Sequence, residues 1–425
     1  MNNSILDVAV IGGGHAGLSM SFLLKKLELS HLVFERNKIG NSWETQRWDS
    51  FKLNTSNKIS GLPGIDNSLS DPDGFLSAKE FVSLLREYTK TFDLPVMENS
   101  HVLSVKKSSD SGLFSIIISQ KGQINHYRSR KVVVASGSQN REIVPGIATN
   151  FSSEIVQLHA AKYRNANSLP NGAVLVVGSG QSGVQITDDL LDKGKKVFVS
   201  TSMVARVPRR YRGKDIMDWM ILTGFMDQCT TDVTDPQAFK MKQPQVSGEG
   251  PRGKTLSLQF LAKKGAVILG KLENADGVLV KLQPNATNHV KFGDAFSQQI
   301  KSMIDDYIGK AKLDAPGAKI DEADLPDENT NCVSHNTTLN LIERNIKSVI
   351  WATGFDGDFS FLELPVFHDD GTLVHNNGIA EIQGLYFLGF PWLRKRKSGI
   401  IAGAKEDAEF MSQQIIETIL VNQST

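Results

Sequence analysis

A glycine-rich turn set between an apolar strand and a helix occurs twice in this 425-residue chain, as Gly12-Gly13-Gly14-His15-Ala16-Gly17 and as Gly178-Ser179-Gly180-Gln181-Ser182-Gly183. Short buried-strand patterns precede them at Asp7 to Ile11 and Ala173 to Val177, and helical patterns follow at Leu18 to Lys26 and Gln185 to Asp192. In such a unit the first glycine permits a sharp turn and the second lets backbone approach phosphate. The third lets helix pack on strand, and the positive helix N-terminus faces the anion. Two copies in one chain predict two bound dinucleotides, with electrons passing between them.

The strand after each turn ends differently, and that end reads the ribose. Glu35 closes His31 to Phe34, twenty-three residues after Gly12. A carboxylate there accepts from a ribose diol and repels a 2′-phosphate, as suits FAD or NAD. In the second copy Lys196 to Ser200 ends in Thr201-Ser202 with no acid, and Arg206, Arg209 and Arg210 follow. That arrangement predicts NADPH in preference to NADH.

A longer repeat frames both copies. Val132 to Val134 run into Ala135-Ser136-Gly137, and Val349 to Trp351 into Ala352-Thr353-Gly354. Gly12 to Gly137 spans 125 positions and Gly178 to Gly354 spans 176, so about fifty extra residues fall in the second half, between Arg212 and Leu325. The expected fold is α/β: two doubly wound Rossmann-like dinucleotide-binding domains, one inserted in the other. The flavin domain takes residues 1–164 and 355–425, and the nicotinamide domain takes 165–354 with an insertion at about 213–325. Within it, Gln243 to Lys254 is rich in glycine, proline and polar residues and reads as a mobile loop, serving as a lid over the substrate entrance or as a packing or dimer element.

Charge and composition exclude other classes. The 47 basic and 46 acidic residues give no electrostatic case for nucleic acid. The one dense basic run, Arg394 to Lys397, reads as a solvated face. Met1 to Leu6 has no leader pattern, and the C-terminal helical stretch Ile400 to Leu420 is broken by Lys405, Glu406, Asp407 and Glu409, so the expectation is a cytoplasmic protein without a membrane span. Cys229 and Cys332 are too far apart in sequence for the redox pair of a flavoprotein disulfide reductase, and no histidine pair has metal-ligand spacing.

A further cluster follows Glu35: Arg36, Gly40-Asn41-Ser42-Trp43, Trp48-Asp49, and Phe51-Lys52-Leu53-Asn54-Thr55-Ser56. Here the chain resembles the flavin-containing monooxygenases, the group that includes plant indole-pyruvate monooxygenases and Baeyer-Villiger enzymes. Arg36, Gly40 and Trp43 match that family's Arg-x-x-x-Gly-Gly-x-Trp stretch, with Asn41 in place of one glycine. Ser182 and the run Gly384 to Gly389 match its second fingerprint and C-terminal segment, and Asn54, Thr55 and Ser56 its Asn-Thr-Ser stretch. The linker motif is partial: His159 and Tyr163 keep their spacing, while Ser153 and Ile155 depart. Phe390 stands where many two-site flavoproteins carry an aspartate.

The resemblance implies FAD and NADPH, with NADH as the alternative coenzyme, and O2 with a small organic substrate. Nicotinamide reduces the flavin, oxygen adds at flavin C4a, and the (hydro)peroxide gives one atom to sulfur, nitrogen, a carbonyl carbon or a 2-oxo acid. The expected cofactor residues are Gly12, Gly14, His15, Ala16, Gly17, Glu35, Arg36, Trp43, Ala135, Gly137 and Gly389 on the flavin side. Gly178, Ser179, Gly180, Gln181, Ser182, Gly183, Thr201, Ser202, Arg206, Thr353 and Gly354 are expected on the nicotinamide side. Asn54 is the expected catalytic residue, because an amide donates to a distal oxygen without changing charge. His159 and Tyr163 are expected to order the linker, Trp43 and Trp48 to pack, and Ser398-Gly399-Ile400 to open a helix either toward the flavin or as a plain helix start. A reductase or oxidase passing electrons to another acceptor is the second reading, and a nucleotide-responsive binding protein the third.

Overall fold

The structure, a computed structural model, describes residues 4–65, 71–329 and 331–424. The first three residues, on which part of the leader expectation rests, lie outside that range.

Two sheets organise the chain. In the first, Val96–Met97, His31–Phe34, Ile5–Ile11, Gln123–Val134 and Leu385–Phe387 lie side by side and parallel. Gln123–Val134 is long enough to do two jobs. Its second half, Val132 to Val134, is fully buried between parallel neighbours, while its first half pairs antiparallel with Phe114–Gln120, which in turn pairs with Ser100–Lys107. The patterning follows that change: unbroken valines where both faces are covered, and alternation such as buried Phe114, Ile116 and Ile118 where one face meets water.

The second sheet is wholly parallel, in the order Val267–Leu269, Val197–Ser200, Ala173–Val177, Ile346–Trp351, Val156–His159. Helices His15–Lys26 and Gln181–Asp192 occupy equivalent places after the first strand of each sheet. Both begin a turn earlier than the apolar periodicity predicts, because the helix starts inside the glycine turn itself.

Two boundaries differ from expectation. The strand Val156–His159, from before residue 164, belongs to the second sheet. The region 213–325 is no single insertion, since Val267–Leu269 edges the second sheet, and a run this short between Gly265 and Gly270 does not stand out in sequence. The extra length is shared instead between residues 210–247, the 26-residue helix Ala286–Ala311, and a small antiparallel sheet of Leu272–Asp276, Leu279–Leu282 and Thr338–Asn340.

One apolar core joins the halves. Leu18, Trp48 and Phe81 from the first meet Tyr163, Val184 and Leu256 from the second in a continuous buried cluster. The chain crosses between sheets at residues 141–142 and 355–356, which pair antiparallel. The C-terminal helix Ile401–Ser424 packs beside His15–Lys26, and no helix among the described residues is long and apolar enough to cross a membrane.

Candidate active site

The two glycine turns are near-identical in construction. Gly12 and Gly178 hold φ of +109° and +103°, and a Cβ on either would overlap the carbonyl oxygen of Ala135 or Ala352. A Cβ on Gly17 or Gly183 would overlap the carbonyl of Gly12 or Gly178, so both serve close helix–strand packing. Gly14 and Gly180 differ from these. Each is the residue from which its helix starts, neither end has a side-chain cap, and a Cβ there would meet no atom within 4 Å. The first-turn amides therefore face open space at the positive end of a helix, as an anion cradle requires.

Both cradles open on one cleft of about 1610 Å³. An ordinary small-molecule site is about 300–1,000 Å³, so this one has room for two nucleotides. Of the expected residues, Gly12, Gly14, His15, Ala16, Glu35, Arg36, Trp43, Asn54, Ala135, Gly137, Gly180, Gln181, Ser182, Thr353, Gly354 and Gly389 line it. Glu35 accepts from the amides of Gly13 at 2.7 Å and Asn37 at 2.9 Å; burial pushes its carboxyl above the usual range while these amides pull it back. Beside the turn, His15 Nε2 is buried with no partner among the described residues, and burial lowers the imidazole to about 4, so the ring is neutral at neutral pH.

The second ribose position is where expectation fails. Arg206 is buried, and its guanidinium is bound by Asp294 at 2.7 Å and by Asp324. It is a structural ion pair and not a phosphate ligand. Arg209 is likewise buried against Asp215 and donates to the Asn54 carbonyl oxygen at 2.9 Å. Thr201 is buried with its hydroxyl donating to Leu269 O at 2.7 Å, and Ser179 and Ser202 bond one another. Sequence proximity to the strand end suggested a basic phosphate site; the carboxylates that neutralise Arg206 come from residues about ninety and about 120 positions downstream.

Asn54 sits between the halves. Its amide nitrogen donates to Gln181 Oε1, its oxygen accepts from Gln185 Nε2 at 2.8 Å, and Gln185 also donates to Val246 O at 2.7 Å. The segment around Gln245 is part of this framework. Gln245 is buried and donates to Ser179 O at 2.6 Å, while a Cβ on Gly248 would overlap Leu53 O, so 245–248 is packed against the site where a mobile loop was expected. Residues 238–244 form cleft wall.

His159 has no nitrogen to spare for proton transfer: Nε2 pairs with Gly354 O at 3.0 Å and Nδ1 accepts from Ala161 N at 3.2 Å. Tyr163 donates to Asp189 at 2.6 Å. Trp43 packs edge-on against Phe81, Trp48 lies in the core against Phe51, and Phe390 is buried against Phe359. The N-terminus of the last helix does reach the cleft, through Gly399, Ile400 and Ile401.

Two arginines escaped sequence reasoning. Arg47 lies over Trp43 at 5.0 Å and Phe51 at 5.4 Å, donates to Gln139 at 3.2 Å, and is lowered to about 10 by burial, with no carboxylate paired to it among the described residues. Arg396 has the same character in another part of the cleft. Nothing in their neighbours along the chain marks either, since what isolates each is tertiary packing.

Comparison with known proteins fits this geometry. The pyridine nucleotide-disulphide oxidoreductase family matches residues 9–215. An uncharacterized CzcO-like oxidoreductase of Geobacillus kaustophilus is 29% identical over 415 residues, 97% of this chain and 99% of its own. A probable indole-3-pyruvate monooxygenase of Arabidopsis thaliana, YUCCA3, is 29% identical over 406 residues, 90% of this chain and 81% of its own. Among solved structures, a flavin-containing monooxygenase of Stenotrophomonas maltophilia superposes with a TM-score of 0.64 at 18% identity, covering 98% and 99% of the two chains. A bacillithiol disulfide reductase of Bacillus cereus gives 0.62 at 14%, covering 98% and 100%. OTEMO solved with FAD and NADP gives 0.56 at 15%, covering 98% and 86%. With two glycine-turn cradles on a shared cleft and these relatives along nearly its whole length, the chain is a flavin-dependent oxidoreductase similar to the flavin-containing monooxygenases.

Proposed function

We propose that the chain is an NAD(P)H- and FAD-dependent monooxygenase that places one atom of O2 on a small organic substrate. The observation carrying this reading is the pair of unblocked cradles at Gly14 and Gly180 facing one cleft. FAD is assigned to the first, where Glu35 suits an unphosphorylated ribose, and the nicotinamide nucleotide to the second. With Arg206 and Arg209 committed to carboxylates, the cradle itself gives no basis for choosing NADPH over NADH, and both remain coenzymes of the proposal.

When bound, flavin supplies hydride acceptance and oxygen activation. The chain's own contributions are positional. First-turn amides at residues 15–17 and 181–183 would hold the pyrophosphates, and His15 would offer a neutral ring nitrogen beside the first. Asn54, clamped to Gln181 and Gln185, links the flavin half to the nicotinamide cradle and presents an uncharged amide to the reacting centre. Phe225, Met226, Phe239 and Trp392 give part of the cleft wall an apolar character, which would help keep water from a reactive oxygen donor. Neither cysteine lines the cleft, which counts against a dithiol relay.

Rapid mixing tests the reading. Enzyme reduced with NADPH and mixed with oxygen should show a transient absorbing species before oxidised flavin returns. Direct return to oxidised flavin would support electron transfer to another acceptor instead, and protein that takes up no FAD would end the proposal.

A further inference from the structure

The basic run Arg394 to Lys397 is no solvated face. Arg394 meets Asp407 at 3.3 Å, Lys395 meets Asp227 at 2.8 Å, and buried Lys397 meets Asp227 at 2.9 Å and also Glu406. Arg396 alone of the four has no carboxylate partner among the described residues. Its guanidinium is held between aromatic faces, 4.3 Å from the Phe225 ring centroid and 4.6 Å from that of Trp392, with one bond, to Gln228 Oε1 at 2.6 Å. Its Nε is buried with no partner among the described residues. Arg396 is half-buried and has lost part of its hydration with no carboxylate to replace it, and a cation so placed on a cleft wall points to an anionic ligand.

The surroundings are specialised in the same sense. Trp392 adopts φ of +57°, a left-handed conformation that a bulky side chain rarely takes, and its ring packs edge-on against Phe239 of the segment covering the cleft. The space beside Arg396 is lined by Phe225, Met226, Phe239 and Trp392. Exposed Lys240 and Lys242 also line the cleft, with Asp370 close enough to Lys240 to feel its charge. The nucleotide phosphates have their own donors at the two glycine turns, whereas Arg396 is framed by the 225–239 segment and the 391–397 loop.

We infer that Arg396 anchors a carboxylate of the substrate, so that the molecule oxygenated is an apolar monocarboxylic acid. The aromatic and methionine side chains take its hydrocarbon body, and the planar guanidinium takes its charged end. The inference deepens the monooxygenase reading and rests on it for the fate of the bound acid.

Calorimetric titration of wild-type, Arg396→Gln and Arg396→Lys proteins with 3-phenylpropionate, 4-phenylbutyrate and octanoate, each beside its uncharged amide, tests this. The wild-type protein should bind the acids about ten- to hundredfold more tightly than the amides, the range expected for a hydrogen bond to a charged group. Arg396→Gln should abolish that preference and Arg396→Lys should keep part of it. Equal binding of acids and amides by the wild-type protein, or binding of neither, overturns the inference without any variant. So does an acid preference that survives Arg396→Gln, and so does a raised KM for NADPH in Arg396→Gln with the preference intact, which would give the arginine to a coenzyme phosphate. Because calorimetry needs no turnover, protein that binds acids selectively yet oxygenates nothing would count against the monooxygenase reading and leave the carboxylate anchor standing.

Discussion

Replacing Gly180 with alanine separates cofactor binding from folding. Gly180 has φ of −66° and ψ of −174°, which any residue adopts, and its new Cβ would touch no protein atom within 4 Å. Alanine for glycine at a helix cap costs a few tenths to about 1 kcal/mol, and the stiffer unfolded chain returns about 0.4–1 kcal/mol, so stability should barely move. The methyl group nevertheless projects into the space where phosphate must approach the first-turn amides. Losing one bond to a charged group costs about 1.5–3 kcal/mol, which raises the KM for NADPH about 10- to 150-fold. Gly183→Ala supplies the contrast, because its Cβ would overlap the Gly178 carbonyl and overpacking costs about 1–3 kcal/mol of stability. Steady-state kinetics, flavin content by absorbance and thermal melts give the three readouts. Gly14→Ala should behave as the mirror image, with flavin content falling and stability held. If Gly180→Ala empties the flavin site while its KM for NADPH is unchanged, the assignment of two cradles to two nucleotides is wrong.

Other perturbations probe separate links in the reasoning. Asn54→Ala should still allow flavin reduction while diverting NADPH to hydrogen peroxide, with about 3 kcal/mol lost from the step the amide serves; unchanged coupling of NADPH use to product would refute its role. Arg206→Met breaks a buried pair and should cost about 3–5 kcal/mol in denaturant titrations without altering the NADPH-to-NADH ratio of kcat/KM, and a shifted ratio would restore it to the coenzyme site. His15 has a folded pKa near 4 against 6.5 unfolded, so the unfolded chain binds the extra proton between those values. Stability is therefore complete above about pH 6.5 and falls as pH drops toward 4, by about 2–3 kcal/mol once partial exposure of the ring is allowed for. Melts from pH 7 to 5 should be less steep in His15→Gln, and parallel curves would contradict the assignment.

The two glycine turns and the elements around them were legible in the chain itself. Glycine spacing, the strands before it and Glu35 after it are local features, fixed by turn geometry and by the strand's two-residue period, and the fold places them as read. The repeat at Ala135 and Ala352 was equally plain, and in both halves its backbone carbonyl stands where a Cβ on Gly12 or Gly178 would fall. Partnership between distant residues was not legible. Arg206 looked like a phosphate ligand until Asp294 and Asp324 arrived from elsewhere, and the run Arg394 to Lys397 looked solvated until Asp227 and Glu406 neutralised two of its members. Sequence states which charges exist, and proximity decides which of them cancel. Arg47 and Arg396, set against aromatic rings with no carboxylate partner among the described residues, are defined only by that cancellation, so tertiary packing decided which partly buried charge this cleft leaves unpaired.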